Sequence, residues 1–278
     1  MARHVVCLSF DFDALSLWMA RGMATPTPLS RGEFGAVGTE RILALLDRFV
    51  IRATWFIPGH TIETFPELCG RICAAGHEIG NHGYVHEVPA ALTRAQEKAV
   101  LRRGSAAIER LTGAPPRGYR SPSWDLSPHT IDLLLEQGFV YDSSLMGHDY
   151  LPYRCRVGDE IPPDGPARFG QPSRLIELPI SWTLDDYPHF EFVRTPTAVM
   201  AGLRRAGDVL ENWVDDFRYM VRTVDWGVLT YTFHPQVIGR GHRMLMLERL
   251  VETLQAEGAV FLPMEQAAAE YSARSPAS

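Results

Sequence analysis

The stretch 5-VVCLSFDFD-13 joins a short apolar run to two carboxylates. The apolar run predicts a buried β-strand over residues 5–10. Because side chains alternate along an extended backbone, Asp11 and Asp13 are expected to point the same way from the end of this strand. Two acids so close ionise together only when a cation or an arginine neutralises them. A metal ion on one carboxylate and a general-base role for the other would satisfy that need. A D-x-D pair alone also fits a solvated strand end or the cation site of a sugar-nucleotide enzyme.

The same strand signal recurs along the chain, and helix-like segments lie between most of its occurrences. Further strands are predicted over 53–57, 78–80, 139–141, 175–180, 228–233 and 259–262. Helices are predicted over 39–48, 93–111, 128–137, 196–222 and 244–257. This alternation predicts an α/β fold with a parallel sheet closed into a barrel of about seven strands. We expect one catalytic domain over residues 1–278, with long loops at about 14–37 and 147–173 that shape the pocket.

Composition narrows the class of partner. The chain has 278 residues and a formal charge of −6, with no run of five or more lysines or arginines. It therefore lacks the basic patch typical of proteins that bind nucleic acid or an anionic membrane. No apolar run approaches the roughly 20 residues of a membrane span. We predict a cytoplasmic protein with a small-molecule or neutral glycan partner. The cysteines lack C-x-x-C spacing and are predicted to be buried thiols; they are Cys7, Cys69, Cys73 and Cys155.

Two histidines follow the predicted strand at 78–80. His82 and His86 lie four residues apart, a spacing that lets two imidazoles converge on one metal ion. Gly83 stands where an H-E-x-x-H metalloprotease carries its glutamate, so the general base must come from elsewhere, and Asp11 is the candidate. A lone H-x-x-x-H pair is as often coincidence as a ligand pair. His77, just before this strand, is expected to make a structural hydrogen bond.

A third histidine follows the strand at 228–233. His234 is a candidate general acid, because an imidazole can protonate an amine leaving group near neutral pH. Its alternative is a capped histidine at a strand end. In the segment Arg120-Ser-Pro-Ser-Trp124, the arginine could hold Asp11 ionised and the tryptophan could form a pocket wall, although this segment alone would be an ordinary surface loop. The chain has no G-x-S-x-G motif and no phosphate-cradling glycine loop, so serine nucleophiles and nucleotide hydrolysis have little support.

Taken in order, four segments resemble the successive motifs of the polysaccharide deacetylase (NodB homology) family over roughly residues 5–265. They are SFDFDA (9–14), NHGYVHE (81–87), RGYRSPSW (117–124) and TFHP (232–235). The resemblance implies a distorted (β/α)7 TIM-like barrel and one divalent metal ion such as zinc. It implies that the metal ligands are Asp13, His82 and His86. It further implies Asp11 as general base, Arg120 as the residue that orients it, and His234 as general acid.

Two features separate the chain from the commonest family pattern. The sequence D-F-D-A replaces two adjacent aspartates followed by glycine, and we expect no secretion signal, which disfavours a polymer outside the cytoplasm as substrate. Residues 178–190 look similar to a branch with cyclic imide hydrolases, allantoinase-like proteins and peptidoglycan-deacetylase-like proteins. That branch favours small cyclic amides over polymers. The family's aspartate that tunes the catalytic histidine has three candidates here, namely Asp185, Asp186 and Glu177.

We therefore predict a metal-dependent hydrolase of non-peptide carbon–nitrogen bonds that acts on a small cyclic imide or ureide. The alternative is an N-deacetylase of N-acetylated sugars or peptidoglycan. A sugar-nucleotide transferase or a non-catalytic glycan-binding protein is more remote, because either would leave the three histidines without a purpose. Tyr119, Trp124 and Trp182 are the expected substrate contacts, and a homo-oligomer is the expected assembly.

Overall fold

The computed structural model describes residues 2–195 and 197–275, and within them the main element is a nine-stranded sheet. The strands are β1 (Arg3–Asp11), β2 (Thr54–Ile57), β3 (Glu78–Asn81), β4 (Gly118–Tyr119), β5 (Tyr141–Asp142), β6 (Tyr153–Val157), β7 (Gln171–Glu177), β8 (Val193–Arg194), β9 (Val199–Met200), β10 (Trp226–Phe233) and β11 (Val260–Phe261). The α-helices are α1 (Ser16–Ala20), α2 (Pro26–Arg48), α3 (Gly59–Thr64), α4 (Pro66–Ala74), α5 (Arg94–Thr112), α6 (Thr130–Glu136), α7 (Asp186–Phe190), α8 (Ala206–Thr223), α9 (Pro235–Ile238), α10 (Gly241–Ala256) and α11 (Met264–Arg274). Strands β8 and β9 form a separate antiparallel pair.

The main sheet has the strand order β10-β1-β2-β3-β4-β5-β7-β6, and its ninth strand, β11, pairs in parallel with β1 off this path. Each neighbouring pair from β10 to β7 is parallel, and only β6 at the end of this path runs antiparallel. The two ends of the curled sheet approach each other, since the Val228 amide donates to the Tyr150 carbonyl oxygen at 2.8 Å and Asp185 bridges to Thr232. The predicted α/β barrel-like fold is therefore confirmed.

Strand β1 lies between β10 and β2 in this sheet and is buried from Val5 onward. Val6, Leu8 and Phe10 pack into one hydrophobic cluster, and Val5 and Cys7 pack into another. Parallel strands covered on both faces read as continuous apolar runs, which explains why this segment was easy to identify. Since β1 is held on both faces and by strands on both sides, it fixes the position of the carboxylates that follow it.

The segment 14–37, expected to be a long loop, instead contains α1 and the first half of α2. Its glycines and prolines resemble a loop signal, but they serve close packing. A Cβ on Gly32 would lie 2.5 Å from the Ala14 carbonyl oxygen, and one on Gly38 would lie 2.0 Å from the Pro235 carbonyl oxygen. Helix α2 therefore lies directly against the backbone next to Asp13 and His234, two of the predicted site residues.

Two other boundaries differ from the prediction. The expected loop at 147–173 contains β6, which pairs with the extended β7. The helix expected over 196–222 begins only at Ala206, because β8 and β9 form a hairpin before it, and its expected first residue, Pro196, lies outside the described residues.

The predicted buried thiols are confirmed for three of the four cysteines, and Cys73 is partly exposed. Burial raises the pKa of Cys69 to about 12, so this thiol stays protonated at neutral pH. Across residues 2–195 and 197–275, no helix combines the length and the apolar character needed to cross a bilayer.

Candidate active site

A cleft of about 230 Å³ lies at the carboxyl ends of the parallel strands. Its aspartate and histidine lining residues come from four separate parts of the chain. Asp11 and Asp13 end β1, His82 and His86 follow β3, Asp185 follows β7 and His234 follows β10. This is the end of an α/β barrel at which variable loops and fixed strand ends meet.

Arg120 forms a fully buried ion pair with Asp11. Its Nη1 donates to Asp11 Oδ1 at 2.9 Å and to Ser9 Oγ at 2.7 Å, while Nε and Nη2 donate to the carbonyl oxygen and hydroxyl of Ser143. The guanidinium also lies 4.3 Å from the centre of the Phe56 ring. With its donors so occupied, the arginine has one orientation, and no hydrogen bond within the described chain involves Asp11 Oδ2. The predicted pairing of Arg120 with Asp11 is thus present in the structure.

Asp13, His82 and His86 converge, and each offers one ligand atom within 4.8 Å of the others. His82 Nε2 lies 3.4 Å from Asp13 Oδ1, and His86 Nε2 lies 3.8 Å from Asp13 Oδ2. Asp13 is fully buried, yet neither of its carboxylate oxygens has a hydrogen-bond partner within the described chain. A buried carboxylate without donors is strongly unfavourable unless a cation neutralises it. The donor set of one carboxylate and two imidazoles therefore fits a divalent transition-metal ion.

The tautomer of His82 suits a metal ligand. Its Nδ1 donates to the Arg120 carbonyl oxygen at 2.7 Å, which leaves the lone pair of Nε2 facing Asp13. A second hydrogen bond of this kind is the usual way in which proteins orient a metal-binding histidine. Arg120 thus contacts both halves of the cleft, Asp11 through its side chain and His82 through its backbone.

The loop from 81 to 87 has the backbone conformation that brings the two histidines together. Gly83 and His86 both have positive φ angles, +72° and +60°, and the second is unusual for a residue with a side chain. Glu87 holds the turn, because its Oε2 accepts from the amides of Tyr84 and Val85 at 3.0 and 2.7 Å. As a result the two imidazole rings lie 5.0 Å apart and nearly perpendicular. Strain of this kind is often found at functional sites.

The charge states of His86 and Asp13 also suit ligand chemistry. Burial lowers the pKa of His86 to about 4, although Asp13 opposes this shift, so the imidazole is neutral at pH 7. Burial raises the pKa of Asp13, but the three neighbouring histidines more than offset it, so the net shift is downward. Burial lowers the pKa of His82, while the nearby Asp13 and Asp11 produce a net rise. A neutral imidazole and an ionised carboxylate are the ligand forms that bind a metal ion.

His234 lies on the opposite side of the cleft, with Nε2 3.9 Å from Asp13 Oδ2. Its Nδ1 donates to Asp186 Oδ1 at 2.8 Å, and its backbone amide donates to the same carboxylate at 3.0 Å. Asp185 lies 3.4 Å from Nδ1 and also caps α7 by accepting from the Tyr187 amide. Burial lowers the pKa of His234, but Asp185 and Asp186 raise it far more, so the net shift is strongly upward.

These contacts identify the acids that tune His234. Asp186 makes the direct hydrogen bond, and Asp185 lies 3.4 Å from the same ring nitrogen. Both carboxylates already accept hydrogen bonds, unlike Asp13, so this second cluster of two acids and a histidine is a poorer metal site. Glu177, the third candidate, lies elsewhere, where its Oε1 accepts from the amides of Ser144 and Leu145. Sequence could not rank the three because Asp186 lies 48 residues before its partner.

Two tryptophans, Trp124 and Trp182, form one wall of the cleft. Trp124 and Trp182 stack with ring centres 4.1 Å apart, and Trp182 is 46% exposed. Ser123 and Trp124 both have positive φ angles, +58° and +54°. Such strain in two consecutive residues turns the Trp124 ring into the cleft instead of away from it.

Tyr119, the third expected substrate contact, does not line the cleft. Side chains alternate along a strand, so Tyr119 faces away from the direction that Arg120 takes. It is buried in a separate hydrophobic cluster, with its ring edge-on to Phe139 at 6.0 Å. The expected contact is corrected on this ground. Sequence analysis missed Arg21 and Tyr187, which do line the cleft, and no motif singles them out.

Two sequence comparisons show which known proteins this chain resembles. The family model described as polysaccharide deacetylase matches residues 24–141. A peptidoglycan deacetylase of Helicobacter pylori is 38% identical over 292 residues, which cover 99% of each chain.

Solved structures give the same result at the level of the fold. A crystal structure from Mycobacterium smegmatis, named as a polysaccharide deacetylase, has a TM-score of 0.84 at 33% identity and covers 98% of this chain and 91% of that one. A solved allantoinase has a TM-score of 0.80 and covers 100% of this chain and 93% of its own. At 23% identity, this second likeness concerns the fold alone.

Proposed function

The chain belongs to the polysaccharide deacetylase family, whose members hydrolyse non-peptide carbon–nitrogen bonds, and from this premise we propose that it is a metal-dependent amidohydrolase acting on a small cyclic imide or ureide. One observation carries the proposal of amide hydrolysis. One cleft of about 230 Å³ is lined by a carboxylate fixed by a buried arginine, by a histidine paired with two acids, and by the buried Asp13, which has no hydrogen-bond partner among the described residues. These are a base, an acid and a metal ligand.

Asp13, His82 and His86 would hold the metal ion. A divalent ion there would supply Lewis-acid stabilisation of charge on the substrate carbonyl oxygen and would acidify water. Zinc fits a site of one carboxylate and two imidazoles, because it accepts nitrogen and oxygen ligands together. The identity of the metal remains part of the proposal.

Asp11 acts as the general base. Arg120 occupies its Oδ1 in an ion pair, which leaves Oδ2 as the oxygen that can take a proton from the attacking water. The ion pair is fully buried, so the carboxylate cannot rotate away without breaking it. Base and arginine together fix the direction from which water approaches.

His234 acts as the general acid. An amide nitrogen leaves poorly unless it is protonated, and the raised pKa of His234 keeps its imidazolium form available near neutral pH. Asp186 holds Nδ1, so the proton on Nε2 is the one that points into the cleft. In each turnover Asp11 gains one proton and His234 loses one. Proton exchange with solvent then returns both groups to their starting states.

The size of the cleft supports a small substrate. About 230 Å³ is below the roughly 300–1,000 Å³ of sites that take drug-sized ligands. The stacked tryptophans offer a flat apolar face to a ring, and Arg21, held by the Tyr187 hydroxyl at 2.6 Å, adds a positive charge beside it. A planar ring with carbonyl groups matches this lining.

Removal of an N-acetyl group from a sugar or from peptidoglycan is the second candidate. The relative that favours it is the Helicobacter pylori protein, a peptidoglycan deacetylase at 38% identity over 99% of this chain. Both reactions use the same base and acid and differ only in what surrounds the amide. The cytoplasmic location and the homo-oligomer expected from the sequence remain predictions.

A single preparation distinguishes the two reactions. Zinc-loaded protein is incubated with succinimide and dihydrouracil and, separately, with chitin oligomers and purified peptidoglycan, while ring opening and acetate release are followed. Ring opening alone would support the cyclic substrate, and acetate release alone would support deacetylation. The Asp11→Asn variant of the same preparation is the control for contaminating hydrolases.

A further inference from the structure

A second cavity, of about 570 Å³, lies behind the active-site loops. It is lined by Arg31 of α2, by residues 190–192 at the end of α7, by Leu203, by Gln236 of α9, and by residues 240–243 at the start of α10. None of its lining residues lines the catalytic cleft. We call it the arginine pocket, after Arg31, Arg240 and Arg243.

The arginine pocket carries an excess of positive charge. Its one lining carboxylate, Glu191, is engaged in an ion pair with Arg31. Burial and the neighbouring Arg41 lower the pKa of Arg240, which reflects crowding of like charges. Asp186 lies near Arg243 but is engaged with His234. Since the whole chain has a formal charge of −6, this positive excess is local.

The first turn of α10 adds to the same charge. This helix of 16 residues begins at Gly241 without a side-chain cap and without an acidic residue in its first turn. Free amides and the positive end of the helix dipole therefore face the pocket, where helices usually place an acid. Arg240, His242 and Arg243 stand there instead. Such an end binds anions when basic side chains surround it.

Buried polar groups in the pocket lack partners. Gln236 is 3% exposed, and within the described chain neither its amide nitrogen nor its amide oxygen makes a hydrogen bond. Arg243 is 8% exposed and donates to the carbonyl oxygens of Val237 and Phe190 at 3.0 Å, yet its Nε has no partner among the described residues. A buried polar group without a hydrogen-bond partner destabilises the folded state. A ligand that rearranges these side chains could satisfy them.

We propose that the arginine pocket binds a small organic anion through a phosphate or carboxylate group, held by Arg240, Arg243 and the first turn of α10. Two exposed apolar side chains, Phe192 and Leu203, line the same cavity and offer contact area to the rest of the molecule. The cavity is larger than an inorganic anion needs, which favours an organic carrier of the charge. This site is separate from the proposed amide hydrolysis and does not depend on it.

Thermal unfolding at constant ionic strength tests the proposal with inorganic phosphate and succinate as probes, each replacing sodium chloride. We expect a saturable rise in Tm, and the anion that acts at the lower concentration identifies the preferred group. Arg240→Gln removes one charge-assisted donor, so we expect its half-saturation concentration to rise about tenfold. Arg102→Gln makes the same charge change at an exposed arginine of α5 and should respond like the wild type.

Comparison of the variants isolates the arginine pocket, because any anion in the catalytic cleft affects all of them equally. An equal response of Arg240→Gln and the wild type, or no saturable response at all, would overturn the proposal. His242→Asp supplies a carboxylate in place of the anion. This variant should have a higher Tm than the wild type without added anion, and its Tm should not rise further when anion is added. A rise as large as that of the wild type would also overturn the proposal.

Discussion

The Arg120 guanidinium reaches Asp11 at 2.9 Å in an ion pair that solvent does not contact. Arg120 also accepts a hydrogen bond from His82 through its backbone carbonyl oxygen. One residue therefore links the proposed base to a proposed metal ligand. A change at Arg120 should disturb both.

Replacement of Arg120 by methionine should lower both stability and turnover. It leaves Asp11 as an uncompensated buried charge, a change that costs about 3–5 kcal/mol of unfolding free energy. Urea unfolding measures the loss of stability. Turnover measured under conditions in which the variant is folded gives the loss of catalysis. Arg71→Met is the matched control, because Arg71 pairs with Glu40 on the exposed surface and should lose little. Equal losses in the two variants would contradict the assigned role of the buried pair.

Substitution of Gly38 by alanine should impair catalysis from outside the cleft. The new Cβ would lie 2.0 Å from the Pro235 carbonyl oxygen, so the backbone next to His234 must move. We expect destabilisation of about 1–3 kcal/mol and a fall in kcat of up to about 100-fold.

Gly70→Ala is the control for helix propensity in that experiment. Gly70 lies within α4 with no atom near the position of a Cβ, so alanine should stabilise the protein by about 0.5–1 kcal/mol. Unchanged turnover in Gly38→Ala would show that α2 does not position His234.

Truncation of Trp182 to alanine tests the aromatic wall. Because Trp182 is 46% exposed and stacks on Trp124, its loss should weaken substrate binding more than stability. We expect kcat/KM to fall about tenfold, chiefly through KM. Phe169→Ala removes another exposed aromatic residue away from the cleft and should leave both constants unchanged. A fall in kcat with an unchanged KM would show that Trp182 does not contribute to substrate binding.

His77 should make stability depend on pH. The Ala53 amide donates to His77 Nδ1 at 3.1 Å, the structural hydrogen bond expected from the sequence. Burial, aided by Arg52, lowers the pKa of His77 from its ordinary 6.5 to about 4. As pH falls from about 6.5 to about 4, the unfolded chain therefore binds a proton that the folded chain refuses, and stability is lost.

The variant His77→Asn keeps an acceptor for that amide but does not titrate. Urea unfolding of both proteins at about pH 7.5 and about pH 5 gives the difference due to His77, expected to be about 1–2 kcal/mol. Parallel pH dependence in the two proteins would rule out the predicted linkage.

The sequence predicted most readily the strands that are buried on both faces along most of their length. Strand β10 was identified because both of its faces are apolar, and the site histidine that follows it was found from its place at a strand end. The same reasoning found Asp11 and His82. It could find them because the end of a strand can be recognised along the chain without knowing which strands pair in the sheet.

Features that depend on packing between distant segments were harder to predict. Helix α2 carries glycines that resemble loop residues, but they are needed for contact with Ala14 and Pro235. Asp186 could not be preferred over Asp185 or Glu177, since only folding shows which carboxylate reaches His234. Tyr119 was misplaced because a motif gives proximity along the chain and not the face of the strand.

Metal dependence tests the central claim most directly. Protein stripped by a chelator is titrated with zinc while metal content and hydrolysis of the better of the two substrate classes are measured together. We predict no turnover in stripped protein and full recovery at about one equivalent of zinc, with His86→Ala recovering neither metal nor turnover. Full activity in the stripped protein, or wild-type metal content and turnover in His86→Ala, would contradict the assigned site.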